Sequence, residues 1–268
     1  MRKLLTLSVA FMASSALFLS CQKDKSTSAS PVSEDVLTQI KAMGFSTDNV
    51  TAQDGGYIVE GDIFLSPSDF GRMSTKNYLI IAQNEQYRTT NLVTGTPRTI
   101  KVALDSRLAK NAGYSAALTE MVNRYNALSL TLTFSVVSSG ADITFVSGSG
   151  SYLASGGFPT SSGAPYNQVK VNARAIGSGT STTFINYLAS ILAHEAGHCI
   201  GFRHTDYMDR SYSCGGATTN EGASTVGAIH IAGTPTTADA GSWMLACIGS
   251  GVNRPFNNND KSALNTLY

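Results

Sequence analysis

The sequence predicts an α/β or α+β domain in which a last helix packs on a mixed sheet, because its apolar residues change period in the order β-α-β-β-β-α. Two long helical stretches and several short β-rich runs carry that expectation. With 268 residues and 42% hydrophobic content, the chain can build one substantial core or two small ones, which excludes global disorder. Nineteen Lys and Arg against 18 Asp and Glu leave a net charge of +1. That balance offers no footprint for nucleic acid or for a polybasic membrane patch.

Residues 33–43 place Val36, Leu37 and Ile40 at helical spacing, and Gly44 can end that helix. Asp54-Gly55-Gly56 reads as a turn before a short strand, Tyr57-Ile58-Val59. Residues 66–97 are polar and irregular, as in a linker. The main domain opens with the alternating strand Thr99-Ile100-Lys101-Val102-Ala103-Leu104. Ser115 is the expected cap of a helix whose Leu118, Met121, Val122, Tyr125 and Leu128 line one face. Runs 130–137 and 143–146 are β-rich, and run 168–172 alternates with Val169 and Val171 on one side. A second helix is expected from about Phe184 to Ile200, after the capping candidates Ser181, Thr182 and Thr183.

The chain begins Met1-Arg2-Lys3 and continues apolar from Leu4 to Leu19, a basic segment followed by a short hydrophobic one. At roughly 16 residues the run is marginal as a membrane span, which needs about 20, so residues 1–20 read as an export signal peptide. The following Ser20-Cys21 resembles a bacterial lipoprotein cleavage site, with Cys21 as the acylated N-terminus and ordinary secretion as the alternative. The expected address is therefore the bacterial cell envelope or the exterior. Membrane contact is expected only through that lipid or an uncleaved signal.

With Cys21 set aside, Cys199, Cys214 and Cys247 allow one disulfide. Cys214 with Cys247 is the preferred pair, because both lie in Gly-rich, loop-like surroundings and Cys199 sits in a predicted helix. The other pairings stay open.

Three of the four histidines fall in one segment, His194-Glu195-Ala196-Gly197-His198-Cys199-Ile200-Gly201-Phe202-Arg203-His204. Four residues apart on a helix, His194 and His198 share a face with their Cβ atoms about 6 Å apart. Both imidazoles can then reach one metal ion at about 2.0–2.1 Å. Gly201 can take the left-handed conformation that ends the helix and brings His204 back as a third ligand. Three neutral nitrogens leave a tetrahedral zinc one open position, the catalytic pattern rather than the structural one. Glu195 lies beside the metal, placed to act as general base on zinc-activated water and to pass the proton to a leaving amine.

This is the H-E-x-x-H-x-x-G-x-x-H signature that the sequence shares with the metzincin metalloproteases. Metzincins carry a methionine turn below the metal, and Ser242-Trp243-Met244 is similar to it, so Met244 is the candidate and Met208 the runner-up. The run from Gly197 to Asp206 most closely resembles the bacterial dual-action HEIGH metallopeptidases, with Ala196 where that name has isoleucine. Text from Gly227-Ala228-Ile229-His230-Ile231 through Gly233-Thr234-Pro235 to Asn257, and from Asp260 to Tyr268, is similar as well, so the resemblance covers about residues 97–268. It implies a metzincin-like α+β fold with a twisted mixed sheet, an active-site helix and a smaller C-terminal subdomain. It also implies one catalytic zinc ion and peptide substrates, with residues 168–172 as the sheet edge that binds them.

Upstream, Glu60-Gly61-Asp62-Ile63 is similar to a stretch in astacin propeptides whose aspartate ligates zinc and keeps the enzyme latent. Asp62 is thus a candidate latency switch. Astacins also place a tyrosine after the methionine turn as a zinc ligand, but Met244 is followed by Leu245-Ala246, so none is carried over. His230 is expected to be structural or to line the cleft.

The expected organisation is a signal peptide at 1–20, a lipoprotein tether and prosegment at 21–90, cut near Lys76 or Arg88, and a catalytic domain at 91–268 that divides near residue 204. The expected function is a secreted or surface-anchored, monomeric zinc endopeptidase. Its rival is a non-catalytic zinc-containing surface binding module, against which Glu195 speaks, since a scaffold has no need of a general base. Calcium is left open, with Asp260 expected to cap the final helix.

Overall fold

The computed structural model describes residues 32–43, 45–70, 86–221, 228–235 and 239–268. The signal-like run, Cys21, Gly44 and Lys76 lie outside the described residues.

Helix α1 (Glu34–Ala42) starts where the Ser33 hydroxyl accepts from the Val36 amide at 3.4 Å. A three-stranded antiparallel meander follows, β1 (Thr51–Gln53), β2 (Gly56–Val59) and β3 (Ile63–Leu65). Strands β1 and β3 hold three residues each, too few for an alternation to show in the sequence. The helix and meander bury Ile40, Met43, Phe45, Val59, Ile63 and Leu65 together, and Phe158 of the main domain closes this small core.

In chain order the rest comprises β4 (Tyr87–Arg88), β5 (Arg98–Leu104), α2 (Ala112–Asn126), β6 (Leu132–Val136), β7 (Ile143–Ser147), β8 (Ala154–Ser155), β9 (Gln168–Val171), α3 (Ala173–Ile176), α4 (Thr182–Ile200), α5 (Ser211–Cys214), β10 (Ile229–His230) and α6 (Asn258–Leu267). The main sheet runs β6-β5-β7-β9-β8, with β8 antiparallel at one edge and the other neighbours parallel. Apolar residues of β5, β6, β7 and β9 meet α2 and α4 in one large core.

Four expectations are corrected. Run 168–172 is not the edge: β9 lies inside the sheet, and two-residue β8 covers it. Val169, Lys170 and Val171 are all buried, because the meander covers the second face, with Lys170 Nζ 3.6 Å from the Phe64 ring centre and 3.0 Å from Asp54. Helix α2 starts a turn before Ser115, where the extended Asn111 accepts from the Gly113 amide at 2.9 Å; Ser115 is exposed on the first turn. The cap of α6 is Asn257, and Asp260 is its partner in a reciprocal capping box. The polar text before Pro97 is no simple linker, since Tyr87 and Val93 are buried and β4 pairs with β10.

Helix α4 opens at Ser181, whose hydroxyl accepts from the Phe184 amide at 3.2 Å. Tyr187 to Ile200 are all buried, so this helix crosses the core rather than lying on it. Gly201 ends it at φ 112°, a conformation that side chains with a Cβ rarely take. Cys214 and Cys247 form a disulfide with S–S 2.05 Å, and Cys199 is a buried free thiol.

Candidate active site

Three imidazoles converge at the C-terminal end of α4. His194 and His198 project from its last two turns, and the turn at Gly201 returns the chain so that His204 faces them. Ring centres lie 4.7 Å apart for His194 and His198, 5.3 Å for His194 and His204, and 4.8 Å for His198 and His204.

Each ring is fixed by an oxygen acceptor at Nδ1. For His194 it is the Trp243 carbonyl at 2.9 Å, for His198 the Phe202 carbonyl at 2.8 Å, and for His204 the Glu221 carboxylate at 2.9 Å. A carbonyl can only accept, so Nδ1 of His194 and His198 carries the proton and Nε2 keeps its lone pair towards the centre. Nε2 of His198 and His204 stand 3.2 Å apart, and Nε2 of His194 is buried without a hydrogen-bond partner among the described residues. Lone pairs crowded in this way repel unless a cation lies between them. The donor set fits a metal ion: His194, His198, His204 and Asp62 each offer an atom within 4.8 Å of the others.

The segment Ser242-Trp243-Met244, the expected methionine turn, lies against this helix. Met244 is fully buried, and its carbonyl accepts from the Thr205 amide at 2.9 Å. A Cβ on Gly197 would fall 2.4 Å from the Trp243 ring and 2.6 Å from Met244 Sδ, so the glycine lets the turn reach the helix between the two histidines. Behind the turn, Asp260 accepts from Ser242 Oγ at 3.0 Å and from the Trp243 amide at 3.2 Å. Met208 instead packs against Tyr87 and Tyr207, away from this contact, and His230 Nε2 meets Thr234 Oγ1 at 3.0 Å.

Asp62 arrives from the meander. Its Oδ2 lies 3.1 Å from His204 Nε2 and 3.6 Å from His194 Nε2. Immediately after it, Ile63 pairs with Gly156 in parallel, and the Phe64 amide donates to the Gly156 carbonyl at 2.8 Å. Gly156 directly follows β8, so this segment extends the edge of the main sheet across the centre. Glu195 is buried beside the cluster, and its carboxylate accepts from the Gly156 amide.

Burial and the nearby Asp62 carboxylate push Glu195 well above the usual carboxylate range. Burial would raise Asp62 too, but the imidazoles, His204 foremost, hold it well below that range. Burial and its two neighbouring imidazoles lower His198, whereas Asp62 and Glu221 carry His204 upward against burial.

Four residues of the centre escaped sequence reasoning: Glu221, Arg203, Arg210 and Glu60. Glu221 binds His204 and takes a 3.0 Å contact from Arg210. Arg203, fully buried, pairs with Glu60 at 2.8 Å, and the Arg210 guanidinium also donates to the Glu60 carbonyl. Glu60 holds φ 53°, uncommon for a residue with a Cβ, and so turns its carboxylate into the interior. No spacing links these four positions. Only the adjacency of Arg203 to His204 and of Glu60 to Gly61-Asp62 hinted at them.

The dual-action HEIGH metallo-peptidase family matches residues 57–268. The chain belongs to that family. The match begins at Tyr57, upstream of the expected limit near residue 97, and so takes in Glu60 and Asp62 as well as the histidines. As a HEIGH metallo-peptidase the protein acts on peptide or protein substrates, and its α+β architecture is of the metzincin-like kind. The solved structure of myroilysin aligns with a TM-score of 0.43 at 14% identity, covering 68% of this chain and 97% of that one. No curated protein matches the sequence.

Proposed function

We propose that this HEIGH metallo-peptidase is an exported zinc endopeptidase with Glu195 as general base, made as a latent precursor that Asp62 holds off. The observation that carries the proposal is the convergence of three Nδ1-anchored imidazoles and one carboxylate on a single point, with Glu195 beside it. Three nitrogen ligands suit zinc, and one ion is proposed. When bound, zinc supplies a Lewis acid that polarises the scissile carbonyl and acidifies water.

The protein's own groups do the rest. His194, His198 and His204 hold the ion, each ring locked by its Nδ1 acceptor. The Glu195 carboxylate, oriented by the Gly156 amide, takes a proton from the attacking water and returns it to the leaving amine. The Gly156 carbonyl, which accepts from Phe64, accepts instead from a substrate amide as the peptide adds to the β8 edge. Substrate and meander thus compete for one edge, and Asp62 competes with water for the ion. In this scheme residues 1–20 direct export, Cys21 is the lipid attachment point, residues 21–90 form the tether and prosegment, residues 91–268 form the monomeric catalytic domain, and cleavage near Lys76 or Arg88 releases it.

The test is casein cleavage by zinc-loaded protein. Glu195→Gln should lose about 10²–10⁴-fold in rate while still binding zinc. Equal rates would sink the mechanism and favour a zinc-containing binding module. Full-length Asp62→Ala should outpace the full-length parent, and identical specific activities would remove the latency proposal alone.

A further inference from the structure

Next to the histidine cluster lies a cavity of about 250 Å³, whose lining includes Leu153, Ile191, Leu245, Ile248 and Arg254. His194 and Glu195 face the same space, so whatever enters it sits beside the scissile bond. Its size falls below the roughly 300–1,000 Å³ of sites that enclose a whole small molecule and suits one side chain. The wall is mostly apolar, and its charges are unequal in kind. Asp62 is engaged by the histidines, and Arg210 by Glu221 at 3.0 Å. Arg254 pairs with no carboxylate among the described residues, and the one acceptor of its guanidinium is the Cys247 carbonyl, 3.0 Å from Nη1.

We propose that this cavity receives the substrate residue adjoining the cleaved bond, and that Arg254 selects an acidic side chain there. The inference rests on the peptidase reading above and adds the substrate class. A guanidinium carries five N–H donors and stays charged, so the donors left over after Cys247 suit the two anionic oxygens of a carboxylate better than the single neutral oxygen of an amide, and they oppose an ammonium. Burial lowers the Arg254 pKa, and Asp206 and Asp260, at longer range, offset this in part.

The site is also built to stay in place. The Arg254 amide donates to Ser190 Oγ at 2.8 Å, one turn before His194, and Arg124 Nη1 donates to the same hydroxyl at 3.0 Å. The Cys214–Cys247 disulfide ties down the wall segment that accepts from Arg254. The Ser190 contact therefore ties the backbone of Arg254, which precedes α6, to the helix that carries Glu195.

Peptides identical except for Glu, Gln, Leu or Lys on either side of the cleaved bond decide the matter, assayed with full-length, zinc-loaded Asp62→Ala protein. At one of the two positions Glu should be favoured over Gln by about 10–100-fold in kcat/KM, the range of a hydrogen bond to a charged group. Arg254→Glu should move the preference to Lys, and Arg254→Lys should retain an acidic preference. A purely structural role for Arg254 would lower all four substrates equally, and that result overturns the inference. Affinities of the Asp62→Ala, Glu195→Gln double variant for the same peptides provide a readout without turnover. A Glu preference in binding with no cleavage by the zinc-loaded Asp62→Ala protein would uphold the pocket and sink the peptidase, whereas cleavage without a Glu preference would do the reverse.

Discussion

On the helix side of the centre, His194 and His198 donate to the carbonyls of Trp243 and Phe202, whereas on the far side His204 donates to the carboxylate of Glu221. The first pair is therefore held by backbone that α4, the Gly201 turn and the methionine turn place together. The third ring is held by charge. Glu221 meets Arg210 and lies 3.8 Å from Arg203, and both arginines reach Glu60 of the meander, so the ion network ends in the segment that carries Asp62. Each side also has a carboxylate in its second layer, in opposite electrostatic surroundings. Burial would raise Glu221, but His204, Arg203 and Arg210 hold it below the usual range. Asp260, behind Trp243, has donors but no salt bridge among the described residues, and burial pushes it up to about 6. One side of the site is thus wired to the N-terminal segment, and the other is closed on itself.

The largest expected effect tests that wiring. Arg203 is fully buried and cannot shed its charge, and Glu60 at 2.8 Å is a nearer carboxylate to it than Glu221 Oε2 at 3.8 Å, so removing Glu60 weakens the compensation of a buried charge. Breaking one partner of a buried ion pair costs about 3–5 kcal/mol, and replacing both with apolar residues costs much less. Burial raises Glu60 to about 8 in spite of Arg203, so the pair is ionised above that pH; at pH 9 Glu60→Ala in the full-length chain should lower stability by about that amount in urea melts, and Glu60→Met with Arg203→Met should recover most of it. A loss under about 1 kcal/mol for the single variant would mean that the two sides are not coupled through this pair.

A smaller effect belongs to the closed side. Because the folded pKa of Asp260 is about 6 against an ordinary 3.8, the native state binds more protons than the unfolded chain between those values. Stability then falls as pH rises through that window, by about 3 kcal/mol at 1.36 kcal/mol per unit, and levels off above it. Asp260→Asn removes the titration. The stability of the parent relative to that variant should drop from pH 4 to pH 6, and a flat or rising difference would mean that the donors around Asp260 outweigh its burial.

The helix side was largely legible in the sequence because its logic is local. Positions 194, 195, 198, 201 and 204 lie within eleven residues, where helical geometry alone specifies which groups face one another. The charged side was not, since Glu60, Arg203, Arg210 and Glu221 meet through a turn at a positive-φ glutamate and a loop without periodicity. The same contrast holds for the fold. Long α2 and α4 declared themselves through their buried faces, whereas two-residue β8 and three-residue β3, which together form the edge at the site, are too short to carry a pattern. The alternation in β9 was real but misleading, because Lys170 is covered by the meander rather than by solvent.

The smallest expected effect separates orientation from ligation. Glu221 touches no point where the four metal-facing atoms meet; it acts by holding His204 Nδ1. Glu221→Gln keeps an oxygen acceptor near that nitrogen but loses the charge that Arg210 and Arg203 neutralise. Its zinc affinity should fall by about 10–100-fold, the usual cost of cutting an outer hydrogen bond to a metal-ligating histidine. The helix side offers no equivalent lesion, since its acceptors are carbonyls that a substitution cannot delete. Competition with a chelator measures the loss directly. An unchanged affinity would show that the chain turn at Gly201 suffices to aim His204, and the distinction between a ring held by charge and two held by backbone would then be one of contacts without energetic weight.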